Sequence, residues 1–225
     1  MVINKWIRRK RNSMGYGVQS PNDFHFVQHV LREKLPYYAY STLKEFSRDL
    51  SHHHPSHPVA IDQLLFRLAN HVHPRLMIEV GAGTSALALS LACPTARCVA
   101  ITEDDALNSS IWEHATRDLQ IEVKTGDEMA IFLQLLHEHQ EIGMLHIAHT
   151  SRYREILEAA LPHVTDDTLI VIEGIRESKE KTVWWEALIE SPSTVICYDL
   201  GNVGLLFFDR SRHKNTYWIN LKKLV

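Results

Sequence analysis

The stretch from Leu76 to Leu91 constrains this chain more than any other. Leu-Met-Ile-Glu-Val, residues 76–80, reads as a short buried strand. Gly81-Ala82-Gly83 reads as a tight turn, and Ala86, Leu87, Leu89 and Leu91 open a helix with Thr84 or Ser85 at its N-cap. Strand, glycine turn and helix together are the unit of parallel α/β sheets, and the turn offers backbone N–H groups to a ligand. Only two glycines are present, in Glu79-x-Gly81-x-Gly83; a three-glycine dinucleotide fingerprint needs glycine where this chain has Ala86. Val99 to Glu103 is the next strand, and Glu103 follows the turn by about 20 residues, where a carboxylate can accept from both hydroxyls of a ribose. Glu79 stands where a carboxylate could meet an ammonium group. These residues alone leave open a core turn that binds nothing and a nucleotide site of another kind.

Helix and strand alternate from there on. Strands are expected at 98–102, 121–124, 143–147 and 168–172, with helices at 105–118, around Ile131–Leu136, and at 153–161. Thr168-Leu-Ile-Val-Ile172 is the continuous apolar run of a strand covered on both faces. Ser178 to Ile189 reads as a helix carrying Trp184-Trp185, and the runs 194–200, 204–209 and 217–221 suit an antiparallel pair at one edge. The pattern predicts a Rossmann-like three-layer α/β/α sandwich. Its sheet is mostly parallel and seven-stranded with an antiparallel edge, and ligands bind at the carboxyl ends of the strands.

Residues 1–58 are expected to form a basic and helical N-terminal extension to an α/β domain over 59–225. Ser20-Pro21 marks a helix start ahead of Phe24, Phe26, Val27, Val30 and Leu31, and Pro36 ends that segment. Tyr37-Tyr-Ala-Tyr40 is expected to pack onto the main domain, followed by helices over 41–50 and 61–72. The tract His52-His-His-Pro-Ser-His57 sits in proline-broken sequence without carboxylate or cysteine partners, and reads as a solvated loop rather than a metal site.

Composition narrows the function classes. A length of 225 residues suits one domain with a sizeable core. The net charge of −3 argues against wholesale nucleic-acid binding, and the basic run Lys5 to Arg11 reads as a solvated tail. No apolar stretch is long enough to span a bilayer, and the basic start lacks the apolar segment of a secretory signal, so a cytoplasmic protein is expected. The three cysteines include no C-x-x-C pair and suit buried thiols in a reducing compartment.

Three motifs carry a resemblance that spans nearly the whole chain. The first is Gly15-Tyr-Gly-Val-Gln-Ser-Pro21 with Pro36-Tyr-Tyr-Ala-Tyr40. The second is Glu79-x-Gly81-x-Gly83-Thr84-Ser85. The third is Glu173-Gly-Ile-Arg-Glu-Ser178 with Asp199-Leu200 and Gly204-Leu-Leu-Phe-Phe208. The chain thereby resembles class I S-adenosylmethionine-dependent methyltransferases, in a group typical of Bacteroidetes and related to catechol O-methyltransferase-like enzymes. The resemblance implies S-adenosylmethionine as cofactor, with Glu79, Gly81, Gly83 and Ser85 around its methionine part. Glu103 would hold the ribose, and Gly126 and Asp127 would lie near the adenine. Catechol-type enzymes hold Mg²⁺ with an Asp after the fourth strand and an Asp-Asp or Asp-Asn pair after the fifth. Here those positions read Ala148 and Glu173-Gly174, so no metal is expected.

Methyl transfer without a metal calls for a general base. His149, in the loop after the fourth strand, is the best placed candidate, with Glu173 beside it in role and His146 and Glu177 as weaker ones. The partner implied is a small-molecule methyl acceptor. The Trp184-Trp185 helix and the edge strands could supply a homodimer face. Residues 15–21 could fold over the site as a lid. The alternative reading is a methyltransferase-fold protein that has lost catalysis and serves as a binding module or scaffold.

Overall fold

The computed structural model describes residue 18 and residues 20–51, 58–81, 83–103 and 110–220. The basic run, most of the Gly15–Pro21 element and the histidine-proline loop lie outside the described residues. Strands β1 (Leu76–Val80), β2 (Arg97–Thr102), β3 (Ile121–Thr125), β4 (Ile142–Ile147) and β5 (Val164–Glu173) are mutually parallel in the order β3-β2-β1-β4-β5. Strand order reverses between β1 and β4, and the carboxyl ends of strands at such a reversal are the usual ligand position in sheets of this kind.

The sheet has eight described strands, one more than expected, and its far side is arranged differently from the simple antiparallel edge. Strands β6 (Ile196–Asp199), β7 (Val203–Phe207) and β8 (Asn215–Trp218) extend the order as β5-β7-β6-β8. Only β7 runs against its neighbours; the outermost strand, β8, is parallel to β6. The β6–β7 hairpin folds β7 back into the gap beside β5, and β8 must then close the sheet from outside. Packing under β7 fixes Gly204: a Cβ there would lie 2.4 Å from the ring of Trp185. Trp185 itself is wholly buried, with its Nε1 donating to Asp199 Oδ2 at 3.2 Å. Trp185 therefore offers nothing to a dimer face, while Trp184 on the same helix is only partly buried.

Alternation along the strands sorts side chains onto two faces. One face carries Ile78, Val80, Ile101, Leu145, Ile170 and Ile172 under helices α6 (Glu128–Glu138), α7 (Tyr153–Ala160) and α8 (Lys179–Glu190). The other carries Met77, Ala100, Met144, Val171 and Leu205 under helices α1 (Pro21–Phe26), α2 (Ala39–Ser51), α3 (Val59–Val72), α4 (Ala86–Ala92) and α5 (Ser110–Thr116). Helix α1 starts where Ser20-Pro21 places it: Ser20 Oγ accepts from Asp23 N at 3.3 Å. A π-helical turn, Val27–Leu31, continues it.

The N-terminal segment is fastened to α3 by a buried arginine. Arg67 Nε donates to Val30 O at 2.9 Å and its NH1 to Tyr40 Oη at 3.0 Å. Tyr37 and Tyr40 pack on Phe66 with ring centroids 5.1 and 5.8 Å away. Phe26, Leu31, Leu43 and Phe46 thus share one apolar cluster with Leu64, Met77 and Leu205. All three cysteines are buried free thiols. Among the described residues no helix is long and apolar enough to cross a membrane.

Candidate functional site

Three ionisable side chains stand in a row on the α3–α4 face at the carboxyl ends of the central strands. Glu79 on β1 is in register with His146 on β4, and His146 with Val171 on β5. Glu173 lies two residues beyond Val171 and so returns to the same face. All three are buried. His146 Nε2 lies 2.8 Å from Glu173 Oε1, and its Nδ1 lies 3.6 Å from Glu79 Oε1. Burial alone would lower the imidazole's proton affinity, but the hydrogen bond to Glu173 and the charge of Glu79 outweigh it and raise His146 to about 10.

The row continues on both sides. Glu79 Oε1 accepts from the backbone N–H of Ser85 at 3.2 Å, and Ser85 Oγ is 2.9 Å from Asp62 Oδ1 on α3. Ser85 occupies the N-cap position of α4, yet its hydroxyl turns to Asp62 instead of capping the helix. At the other end, Glu173 Oε2 lies 3.5 Å from His149 Nε2, and His149 Nδ1 lies 3.4 Å from Glu177 Oε1. Lys181 on α8 is buried, 3.5 Å from Glu177 Oε2 and 4.7 Å above the ring of Tyr153. Burial holds its ammonium below the usual lysine range.

His149 is half exposed, the open end of an otherwise buried chain. The hydrogen bond to Glu173 raises its proton affinity against its partial burial, and the charge of Glu177 adds to that. Gly81 brings His149 here. It sits at φ +121°, donates to Ile101 O at 2.9 Å, and a Cβ on it would press to 3.2 Å from Ala148 Cβ and 3.4 Å from His149 N. The loop after β4 can therefore close onto the turn after β1.

Two oxygens in this region are buried and unanswered. Glu79 Oε2 and Thr84 Oγ1 have no hydrogen-bond partner among the described residues, and His146 Nδ1 has only the longer ion-pair contact to Glu79. A buried polar atom without a partner costs about 1–3 kcal/mol, and Arg67 Nη2, Ser90 Oγ and Gln28 Nε2 share that condition elsewhere in the fold. No group of three metal-ligating side chains is placed to hold an ion among the described residues. The side chain of Ala148 carries no oxygen, and the carboxylate of Glu173 is faced by two imidazoles.

The other expected residues gather beside this row. Gly83 is buried at φ +75° in the turn. Glu103 is exposed one residue beyond β2. Gly126, at φ +145°, ends β3 and donates to Thr102 O at 3.0 Å. Asp127 caps α6, accepting from Ala130 N at 2.7 Å, and both its oxygens lie 2.9 Å from Arg152 NH1. Its carboxylate is thus already engaged. Its neighbour Glu128, which the sequence reading passed over, is buried, accepts from Thr150 Oγ1 at 2.5 Å, and is held above the usual carboxylate range by burial and by Glu103 and Asp127. Asp62 and Lys181 were also passed over, and Thr84 entered only as an N-cap candidate and a motif member. The alternation Met144-x-His146 was a legible signal for His146, since it sets that side chain on the face of Met77-x-Glu79.

No family model and no curated protein sequence matches the chain. Solved structures match its fold. A methyltransferase from Geobacter sulfurreducens is 16% identical with a TM-score of 0.59, covering 85% of this chain and 97% of that one. An O-methyltransferase from Bacillus cereus in complex with SAH is 18% identical with a TM-score of 0.59, covering 80% of this chain and 96% of that one. The O-methyltransferase TomG from Streptomyces achromogenes, in complex with SAM, is 18% identical with a TM-score of 0.59, covering 82% and 94%. The likeness establishes the fold as Rossmann-like of the methyltransferase type, a mostly parallel mixed sheet with helices on both sides.

Proposed function

We propose that the chain is an S-adenosylmethionine-dependent methyltransferase acting on a hydroxyl of a small molecule, without a metal ion. The observation that carries this reading is Glu79 Oε2, a buried carboxylate oxygen without a partner, beside the glycine turn of a methyltransferase-type fold. An ammonium group would supply its missing hydrogen bond, and the methionine part of the cofactor has one. Glu103, exposed at the end of β2, would accept from the ribose hydroxyls. Gly126 would let the adenine approach the β3 end, with the engaged carboxylate of Asp127 fixing that turn rather than contacting the base. Bound there, the cofactor supplies a methyl group already activated by its sulfonium.

The chain's own work is then to orient the acceptor and take its proton. His149 is the base: Glu173 orients its Nε2, and Nδ1, facing only the exposed Glu177, takes the hydroxyl proton as the oxygen–methyl bond forms. The donor set does not fit Mg²⁺, which demands several oxygen ligands; Ala148 and Gly174 offer none, and Glu173 faces His146 and His149. Ser20-Pro21 and Pro36-Tyr-Tyr-Ala-Tyr40 support placement in the Bacteroidetes-type group. The half-exposed His149 favours a working enzyme over a scaffold that has lost catalysis.

Calorimetric titration with S-adenosylmethionine and S-adenosylhomocysteine tests the reading. Binding should be equal with Mg²⁺ and with EDTA, and Glu103→Ala should weaken it about tenfold, or ~1.4 kcal/mol. No binding of either compound would overturn the cofactor assignment, and binding that requires Mg²⁺ would overturn the metal-free mechanism.

A further inference from the structure

We propose that His146 is a positioning residue: a permanently charged imidazolium, buried between β1 and β5, that holds the cofactor-side carboxylate Glu79 and the base-side carboxylate Glu173 as one electrostatic unit. The inference rests on the methyltransferase reading for what the two carboxylates do, and on geometry for the rest. Register sets His146 directly beside Glu79 and one alternation short of Glu173. Its two ring nitrogens lie 3.6 and 2.8 Å from one oxygen of each. Only Nε2 makes a hydrogen bond, to Glu173; Nδ1 stands within ion-pair distance of Glu79, and two flanking carboxylates favour the charged ring over the neutral one.

Every charge around the ring bears on that state. Glu79 faces it from β1 and Glu173 from β5; Cys98 on β2 is a buried thiol near Glu79, kept protonated by burial. Asp62 reaches the row from α3 through Ser85, while His149, Glu177 and Lys181 approach Glu173 from the loop after β4 and from α8. Carboxylates outnumber cations around His146, so removal of its charge leaves Glu79 and Glu173 buried without the cation they share. Such a pair offsets the loss by taking up a proton.

The consequence is a link between the two halves of the site. With the imidazolium present, Glu79 can keep Oε2 for a ligand ammonium while Oε1 accepts from Ser85 N and faces His146 Nδ1 at 3.6 Å. Glu173 meanwhile keeps Oε2 toward His149 while Oε1 is tied to His146. One oxygen of each carboxylate is anchored and the other faces the chemistry. A hard ion bound by Glu173 would have to displace that anchor.

Two readouts test this. The first is ¹⁵N NMR of the imidazole rings in the wild-type chain. The His146 ring should carry protons on both nitrogens without change from about pH 6 to 8.5. A His146 ring that turns neutral near the ordinary value of 6.5 overturns the proposal. The second is titration of wild type and His146→Gln with S-adenosylhomocysteine at pH 6.5 and 8.5. Wild-type affinity should be the same at both; the variant should bind about tenfold more weakly at pH 6.5 and recover in part at pH 8.5. A variant that binds like wild type at both values overturns the proposal. A wild-type chain that binds no S-adenosylhomocysteine sinks the cofactor reading alone, and the ring protonation, which needs neither ligand nor variant, still decides the state of His146.

Discussion

Asp23 and Glu79 are both buried carboxylates on the same face of the sheet, and their surroundings differ in one respect. Asp23, on α1, has both oxygens occupied: Oδ1 accepts from Tyr198 Oη and Arg212, and Oδ2 from Tyr217 Oη at 2.9 Å. Burial opposes its charge, but these donors hold its carboxyl below the usual range. The same contacts, with burial first among the causes, push Tyr217 up to about 12. Glu79 keeps one oxygen without a partner, in contact with a histidine whose nearer nitrogen is also under-bonded. A saturated cluster joins an N-terminal helix to the last strands and is complete as it stands. At the carboxyl ends of β1 and β4, by contrast, Glu79 Oε2 has no partner among the described residues. Both carboxylates are buried, and they differ in the count of their partners.

The sharpest way to break this comparison is to neutralise each carboxylate in turn. Asp23→Asn strands Arg212 and should cost about 3 kcal/mol of stability, the low end for breaking a buried pair, read as a shift in urea midpoint. It should leave S-adenosylhomocysteine affinity unchanged, and a loss of affinity would join the two clusters into one system. Glu79→Gln should do the reverse. Its stability should change by no more than ~1 kcal/mol, because the amide can still accept from Ser85 N, while ligand affinity falls at least tenfold, ~1.4 kcal/mol. A variant that unfolds but still binds would refute the distinction. Smallest of all, Tyr217→Phe removes one donor to Asp23 and should cost about 1 kcal/mol in the same urea series.

Acidity sharpens the comparison further, because the two clusters titrate at opposite ends. Asp23 has a lowered folded value, so its contribution is present above the unfolded value of 3.8 and is lost as pH falls through the folded one. His146 has a raised folded value, so its contribution is complete below 6.5 and declines as pH rises from there to about 10. Urea midpoints measured across pH should therefore lose their acid-side slope in Asp23→Asn and their alkaline-side slope in His146→Gln. A His146→Gln curve parallel to wild type between pH 7 and about 10 would count against a charged ring.

Much of this arrangement was legible in the chain itself. Leu76 to Val80 forms β1 at the bounds its apolar run predicts, Gly81 takes the positive φ that the turn demands, and Ser20-Pro21 starts a helix. Alternation even sets Glu79, His146 and Glu173 on one face, provided the three strands are neighbours. That proviso is what local sequence lacks. Glu79 meets His146 because β4 pairs with β1 across the point where strand order reverses, and a slip of one residue would have turned His146 into the opposite layer.

The far edge and the helices show the same limit. Three short runs near the C-terminus were readable as strands, but their order β7-β6-β8 depends on where a hairpin finds room beside β5 and on Trp185 filling the space over Gly204. Asp62, Glu128 and Lys181 belong to helices whose sequences give no hint of a shared site. What the sequence by itself determined was the local alphabet of this protein: strand, glycine turn, helix, and the residue types able to do chemistry. Which charges would face one another, and which oxygen would be left without a partner, only the tertiary structure decided, because register and helix docking are set by packing between residues far apart in the chain.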